Sequence, residues 1–205
     1  MLQFPTQLKF WIVPAIVASL SIVGFLLEPD ASQALAFSRL HVEAFEFWRL
    51  ITGHLLHTNA AHLALNLLGF ALLWALHGEY YTPKKIALFL LLSSVMTSVA
   101  IYYFSTQIVW YVGLSGILHG LFVWGACLDV VKKERTGWLL LIGVAIKIAY
   151  EQFGGSTQDI AELIGASVAV DAHLYGVLSG LILAVGFISI QHRQPTQEHD
   201  SVPPE

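Results

Sequence analysis

One cysteine, Cys127, excludes an intrachain disulfide and a cysteine-built zinc site. No cation closely flanks it to activate the thiol, so it reads as a small packing residue in an apolar helix. Charge is just as scarce: Asp, Glu, Lys and Arg make up 12% of the chain, against ~25% in soluble domains. The net charge of -4 comes with no basic patch and no interleaved aromatic and basic stretch, which excludes a nucleic-acid partner. There is no obvious internal repeat. His54, His57, His62, His119 and His173 fall in one half of the apolar region, but no paired-histidine metal motif with a nearby carboxylate accompanies them. No metal and no cofactor is expected.

What the chain does have is hydrophobic residues, 56% of the total, enough to place it in a membrane rather than in water. Apolar runs long enough to cross hydrocarbon, which takes roughly 20 helical residues, predict six spans. These run over Phe10 to Leu27, His54 to Leu76, Ile86 to Phe104, Ser115 to Val131, Trp138 to Gln152 and Val170 to Ile190. The expected fold is therefore all-α, a polytopic six-helix bundle over residues 1–190, followed by a polar, proline-containing cytoplasmic tail over 191–205 that reads as disordered. Lys9, the first apolar run and Ala34-Leu35-Ala36 imitate a signal peptide, yet the run exceeds the usual signal core and is followed by Glu28, Pro29 and Asp30, so a retained helix is expected. The fifth run carries Lys147 and Glu151, which share a helix face and can pair; a bundle-lining role is also open to them.

Basic residues in the connections set the orientation. Lys9, Lys84, Lys85, Lys132, Lys133, Arg135 and Arg193 fall on one side, whereas the opposite loops are acidic apart from Arg39 and Arg49. The positive-inside rule then puts both termini in the cytoplasm.

Polar groups at membrane depth are costly and mark function. Ser115 opens the fourth run, and His173 lies near the start of the sixth. At 1.5 Å per residue they stand about 24 Å and about 25 Å above the cytoplasmic ends of their helices, which is one level. His62 and Asn66, on one face of the second helix, stand about 21 Å and about 15 Å up, within reach of the same cavity if the helix tilts. His57, five residues earlier, is expected to point elsewhere. Gly116 and Gly120 beside the serine, and Gly176 and Gly180 beside the histidine, form small-xxx-small pairs that let two backbones approach closely. Asp171 faces away from His173 on a helix and is given no role.

The ordered set Trp48-Arg49, His57-x4-His62-x3-Asn66, Gly113-x-Ser115-Gly116 and Ala172-His173-x2-Gly176-x3-Gly180 resembles the rhomboid intramembrane serine proteases over nearly the whole predicted core. The resemblance implies that Ser115 is the nucleophile and His173 its general base, a dyad with no orienting acid. It implies that His62, Asn66 and the Ser115 backbone N-H form the oxyanion hole, and that Trp48, Arg49 and His57 are structural. Where many bacterial members carry a tyrosine that packs on the catalytic histidine, this chain has His119, expected to stack on His173. That departure, with the compact length, resembles the rhombosortase branch. Its members are associated with exported bacterial proteins ending in a Gly-Gly motif, an apolar helix and a basic tail.

The expected function is thus a serine endopeptidase of the bacterial inner membrane that cleaves transmembrane or C-terminally anchored substrates near the periplasmic face. A rhomboid-like pseudoprotease that binds membrane helices without cutting them is the alternative within the fold, and a small transporter the alternative outside it. Oligomeric state is left open.

Overall fold

The computed structural model describes residues 5–193. In chain order its elements are α1 (Leu8–Leu26), α2 (Asp30–Leu35), β1 (Phe37–Ser38), α3 (Arg39–Glu43), α4 (Arg49–Thr52), α5 (Ala60–His77), α6 (Pro83–Phe104), β2 (Trp110–Tyr111), α7 (Ser115–Val131), α8 (Arg135–Gln152), α9 (Gln158–Ile164) and α10 (Val170–Arg193). The protein is mostly helical because a segment in hydrocarbon must satisfy its own backbone hydrogen bonds. Of the segment expected as a tail, the first three residues continue α10 as helix, and the rest lies outside the described residues.

Among the described residues, four helices are long and apolar enough to cross a membrane: Leu8–Leu26, Ala60–Tyr80, Pro83–Phe104 and Val170–Ile190. Two of the six expected spans are of a different kind. α7 is a shorter apolar helix, and α8 carries Arg135, Lys147 and Glu151. α7 packs against α10, α8, α5 and α6 and is buried on most of its circumference, so it meets protein where the others meet lipid. Trp124 anchors it, fully buried among Tyr81, Phe89 and Phe187.

The second expected span is shorter than its apolar run. α5 starts at Ala60 rather than His54 because the Asn59 side chain accepts the His62 backbone N-H at 2.8 Å and caps the helix there. His54 instead sits in a 3-10 turn, where its Nε2 lies 2.9 Å from Ser98 Oγ on α6.

The long connection between α1 and α5 is pinned by its two arginines. Arg39 donates to the carbonyls of Tyr102, Ile101 and Ser105, closing the C-terminal end of α6 where unpaired carbonyls concentrate negative potential. Arg49 is buried and donates to Glu46, Ala36 O and Gln33 O, while the Trp48 indole donates to Ala34 O. β1 pairs antiparallel with β2, Phe37 opposite Tyr111. This ties the connection to the segment that leads into Ser115. At the other end of the bundle, Tyr80 in the 3-10 turn after α5 donates to Asp129 on α7 at 2.7 Å.

Candidate active site

The site begins with the turn that delivers Ser115. Gly113 holds φ +125, a conformation that side chains rarely adopt, and a Cβ there would lie 2.8 Å from His62 Nε2. Tyr111 OH donates to Gly113 O at 2.7 Å and steadies the turn. α7 then starts at Ser115 itself with no side-chain cap, so the first backbone N-H groups have no intrahelical partner and face whatever occupies the site.

His173 comes from the first turn of α10. Its neighbour in space is set by glycine: a Cβ on Gly176 would overlap the Gly116 carbonyl, and one on Gly180 would overlap that of Gly120. With both Cβ atoms missing, α7 and α10 run in backbone contact, as the small-residue spacing predicts. The Ser115 hydroxyl consequently reaches His173 Nε2 at 3.0 Å, inside hydrogen-bond range.

The imidazole is held on its remaining sides. His119, one turn along α7, stacks on it with ring centroids 4.2 Å apart and planes 22° apart, as expected from the sequence. His119 Nδ1 donates to the Ser115 carbonyl at 2.8 Å, which keeps its ring in that orientation.

The expectation of a histidine without an acid is not met. The Glu151 carboxylate on α8 accepts from His173 Nδ1 at 3.0 Å through one oxygen, with the other 3.2 Å away. Glu151 Oε1 also accepts from Lys147 Nζ at 2.7 Å, so the helix-face pair foreseen from spacing forms and at the same time lines the bundle. Its tie to His173 spans 22 residues and two helices, which no local pattern can display. The signal in the sequence was only a carboxylate within an apolar run.

His119, Glu151 and His173 therefore bring three possible metal-ligating atoms within 4.8 Å of one another. Stacked imidazoles direct their nitrogen lone pairs side by side rather than toward a common point. The arrangement suits a hydrogen-bonded relay better than a tetrahedral cation.

His62 and Asn66 line the same space. The Thr58 hydroxyl donates to Ile164 O at 2.6 Å, joining the loop before α5 to the end of α9, and His62 Nδ1 lies 3.1 Å from the same hydroxyl oxygen. Asn66 is buried and donates one amide hydrogen to His62 O at 3.1 Å, which leaves the second for the cavity. His57 does not point away from His62: it lies in the loop before α5, not on the helix, and its ring packs edge-on against His62 at 5.0 Å. Asp171 turns from His173, accepting from Ser105 Oγ at 2.6 Å and Gln107 Nε2 at 2.7 Å.

Two cavities meet at Ser115, His62 and His173. One of about 610 Å³ lies between α5 and α8 and is lined largely by apolar residues such as Leu65, Leu72, Phe122 and Ile160. The other, about 460 Å³, is reached from the loops around Gln107 and Ser167 and carries Thr58 and Asp171. A nucleophile and an imidazole in contact, helix N-terminal donors beside them, and an apolar and a polar approach from either side are what acyl transfer to water requires.

Among known families, the Rhomboid domain matches residues 44–190, a range that takes in every side chain of the site. No curated protein matches the chain.

Proposed function

We propose a function from one premise: the chain belongs to the rhomboid family, and it is an integral membrane protein. On our reading it is an intramembrane serine endopeptidase, with Ser115 as nucleophile, His173 as general base, and His62, Asn66 and the Ser115 N-H as oxyanion donors. The observation that carries this is the 3.0 Å contact between Ser115 Oγ and His173 Nε2 at the junction of an apolar and a polar cavity. A substrate helix can occupy the first while water enters through the second.

In the chemical step, Ser115 Oγ attacks the scissile carbonyl as its proton passes to His173 Nε2. The carbonyl π electrons move to oxygen, where the donors meet the developing charge. Collapse breaks the C-N bond, His173 returns the proton to the leaving amine, and water repeats the sequence on the acyl-enzyme.

We place the protein in a bacterial inner membrane as a six-span bundle, both termini cytoplasmic and the site opening to the periplasm. Support comes from the one-sided basic residues, since the two exceptions, Arg39 and Arg49, are both engaged by carbonyls within the fold. Assignment to the rhombosortase branch, with substrates anchored by a C-terminal helix after Gly-Gly, is supported by His119 stacked on His173 at the position where the rhomboid resemblance implies a tyrosine.

The test is cleavage in liposomes of two substrates, one ending in Gly-Gly, an apolar helix and basic residues, the other a general transmembrane helix. A serine-dependent cut near the glycines is expected. A cut of the second substrate alone discards the branch and keeps the protease; no cut of either favours a helix-binding pseudoprotease.

Asn66→Ala tests the oxyanion assignment. Loss of one preorganised donor lowers kcat by about 10²–10³-fold, and KM should change little because the donor acts on charge that develops only in the transition state. A rise in KM with kcat intact would make Asn66 a packing residue.

A further inference from the structure

Beside Ser115 and His173 the structure holds a third group that the dyad does not use. Glu151 sits at the last turn of α8, its side chain 8% exposed and facing a His173 ring of equal burial. Its two partners are both donors: His173 Nδ1 in front and Lys147 Nζ behind. Two donors on one carboxyl group are the partners that its ionised form, an acceptor only, can satisfy together.

The nitrogen it meets matters. Nδ1 is the ring atom opposite the one that faces Ser115. A carboxylate can only accept there, so it keeps the imidazole proton on Nδ1 and leaves Nε2 bare toward the hydroxyl. Among the described residues, no other group hydrogen-bonds Nδ1 to fix the tautomer. The stacked His119 holds the plane of the ring but makes no hydrogen bond to either ring nitrogen of His173.

We propose that Glu151 is a positioning residue that completes a Ser115-His173-Glu151 relay: it holds His173 in the tautomer that accepts the serine proton and stabilises the imidazolium formed on attack. The inference rests on the protease reading above. Glu151 itself stays ionised throughout, as the proton travels only between Ser115, His173 Nε2 and the leaving amine. The logic is that of the soluble serine-protease triad, reached here from a different helix and with a lysine behind the acid.

Contact with α10 alone does not account for the pairing. α8 meets the bundle through Val144 and Ile148 against Val123, Leu174 and Val177, an apolar seam that needs no charge. A buried carboxylate is costly at membrane depth and persists where it has work on a partner.

The experiment measures kcat and KM of the full chain in liposomes for the natural sequence, Glu151→Gln and Ser115→Ala, together with the proton position on His173. The isosteric amide should lower kcat by at least about 10²-fold, given a drop of ~10⁴ for the corresponding change in soluble triads, with KM within about threefold. Unaltered kcat, or a loss confined to KM, overturns the inference. If Ser115→Ala cleaves as well as the natural chain, the protease reading itself fails; serine-dependent cleavage indifferent to Glu151→Gln removes only the third member. Nitrogen NMR of histidine-labelled natural chain gives an answer even should the variant misfold. His173, assigned by difference from His173→Ala, is expected to carry its proton on Nδ1, and a proton resident on Nε2 sinks the proposal.

Discussion

Replacing Ser115 or His173 by alanine is expected to remove cleavage by at least about 10³-fold while the protein still folds, because the two act as one unit and losing either leaves only binding and the oxyanion donors. The structural basis is the single 3.0 Å contact through which Ser115 can lose its proton. An unactivated hydroxyl is a poor nucleophile, and among the described residues no other base is hydrogen-bonded to it. Neither change should disturb the fold. Ser115 opens a helix without capping it, and shortening His173 frees Glu151 to keep Lys147 as its partner. The check is rate of cleavage beside thermal unfolding in the same detergent, with a fluorophosphonate as a probe of serine reactivity. Near-normal cleavage by either variant would remove the dyad from the mechanism. The double variant should be no slower than the worse single one.

The second large effect is expected from Gly176→Val. Overpacking a tight interface typically costs about 1–3 kcal/mol, and here the added Cβ meets backbone, the Gly116 carbonyl, which cannot rotate aside. α10 must therefore shift from α7, carrying His173 off Ser115. Stability and activity should fall together, and fluorophosphonate labelling of Ser115 should slow with them. Gly186 supplies the internal control: it lies on the same helix, yet a Cβ there meets nothing within 4 Å, so Gly186→Ala should leave unfolding temperature and cleavage unchanged. Full activity in Gly176→Val would show that the close helix contact does not position the pair.

Both predictions were within reach of the sequence, for a physical reason. A helix has a fixed rise, so Ser115 and His173 could be put at one level by counting residues, and a four-residue glycine spacing implies a flat face whichever partner it meets. His119 on His173 was implied by the rhomboid resemblance, which puts a ring on the catalytic histidine one turn beyond the serine. The reading failed where hydrophobicity stood in for geometry. The second span was expected from His54, but the Asn59 cap starts the helix at Ala60, which leaves His57 in the loop, where its ring meets His62. α7, expected as a span like the others, is a shorter apolar helix that packs on its neighbours around most of its circumference.

By itself, then, the sequence determined the membrane setting, the helical class, the family, and the level at which a serine, two histidines and an asparagine gather. These depend on composition, periodicity and local spacing, all of which are carried along one chain. Only the tertiary structure decided that Glu151 meets His173 Nδ1, that Arg39 and Arg49 are spent on carbonyls rather than on solvent, and that Asp171 turns to Ser105. Each of these is a choice among several partners open to a charged side chain. That choice is made by which helix faces are brought together, and a linear sequence holds the candidates without the distances between them.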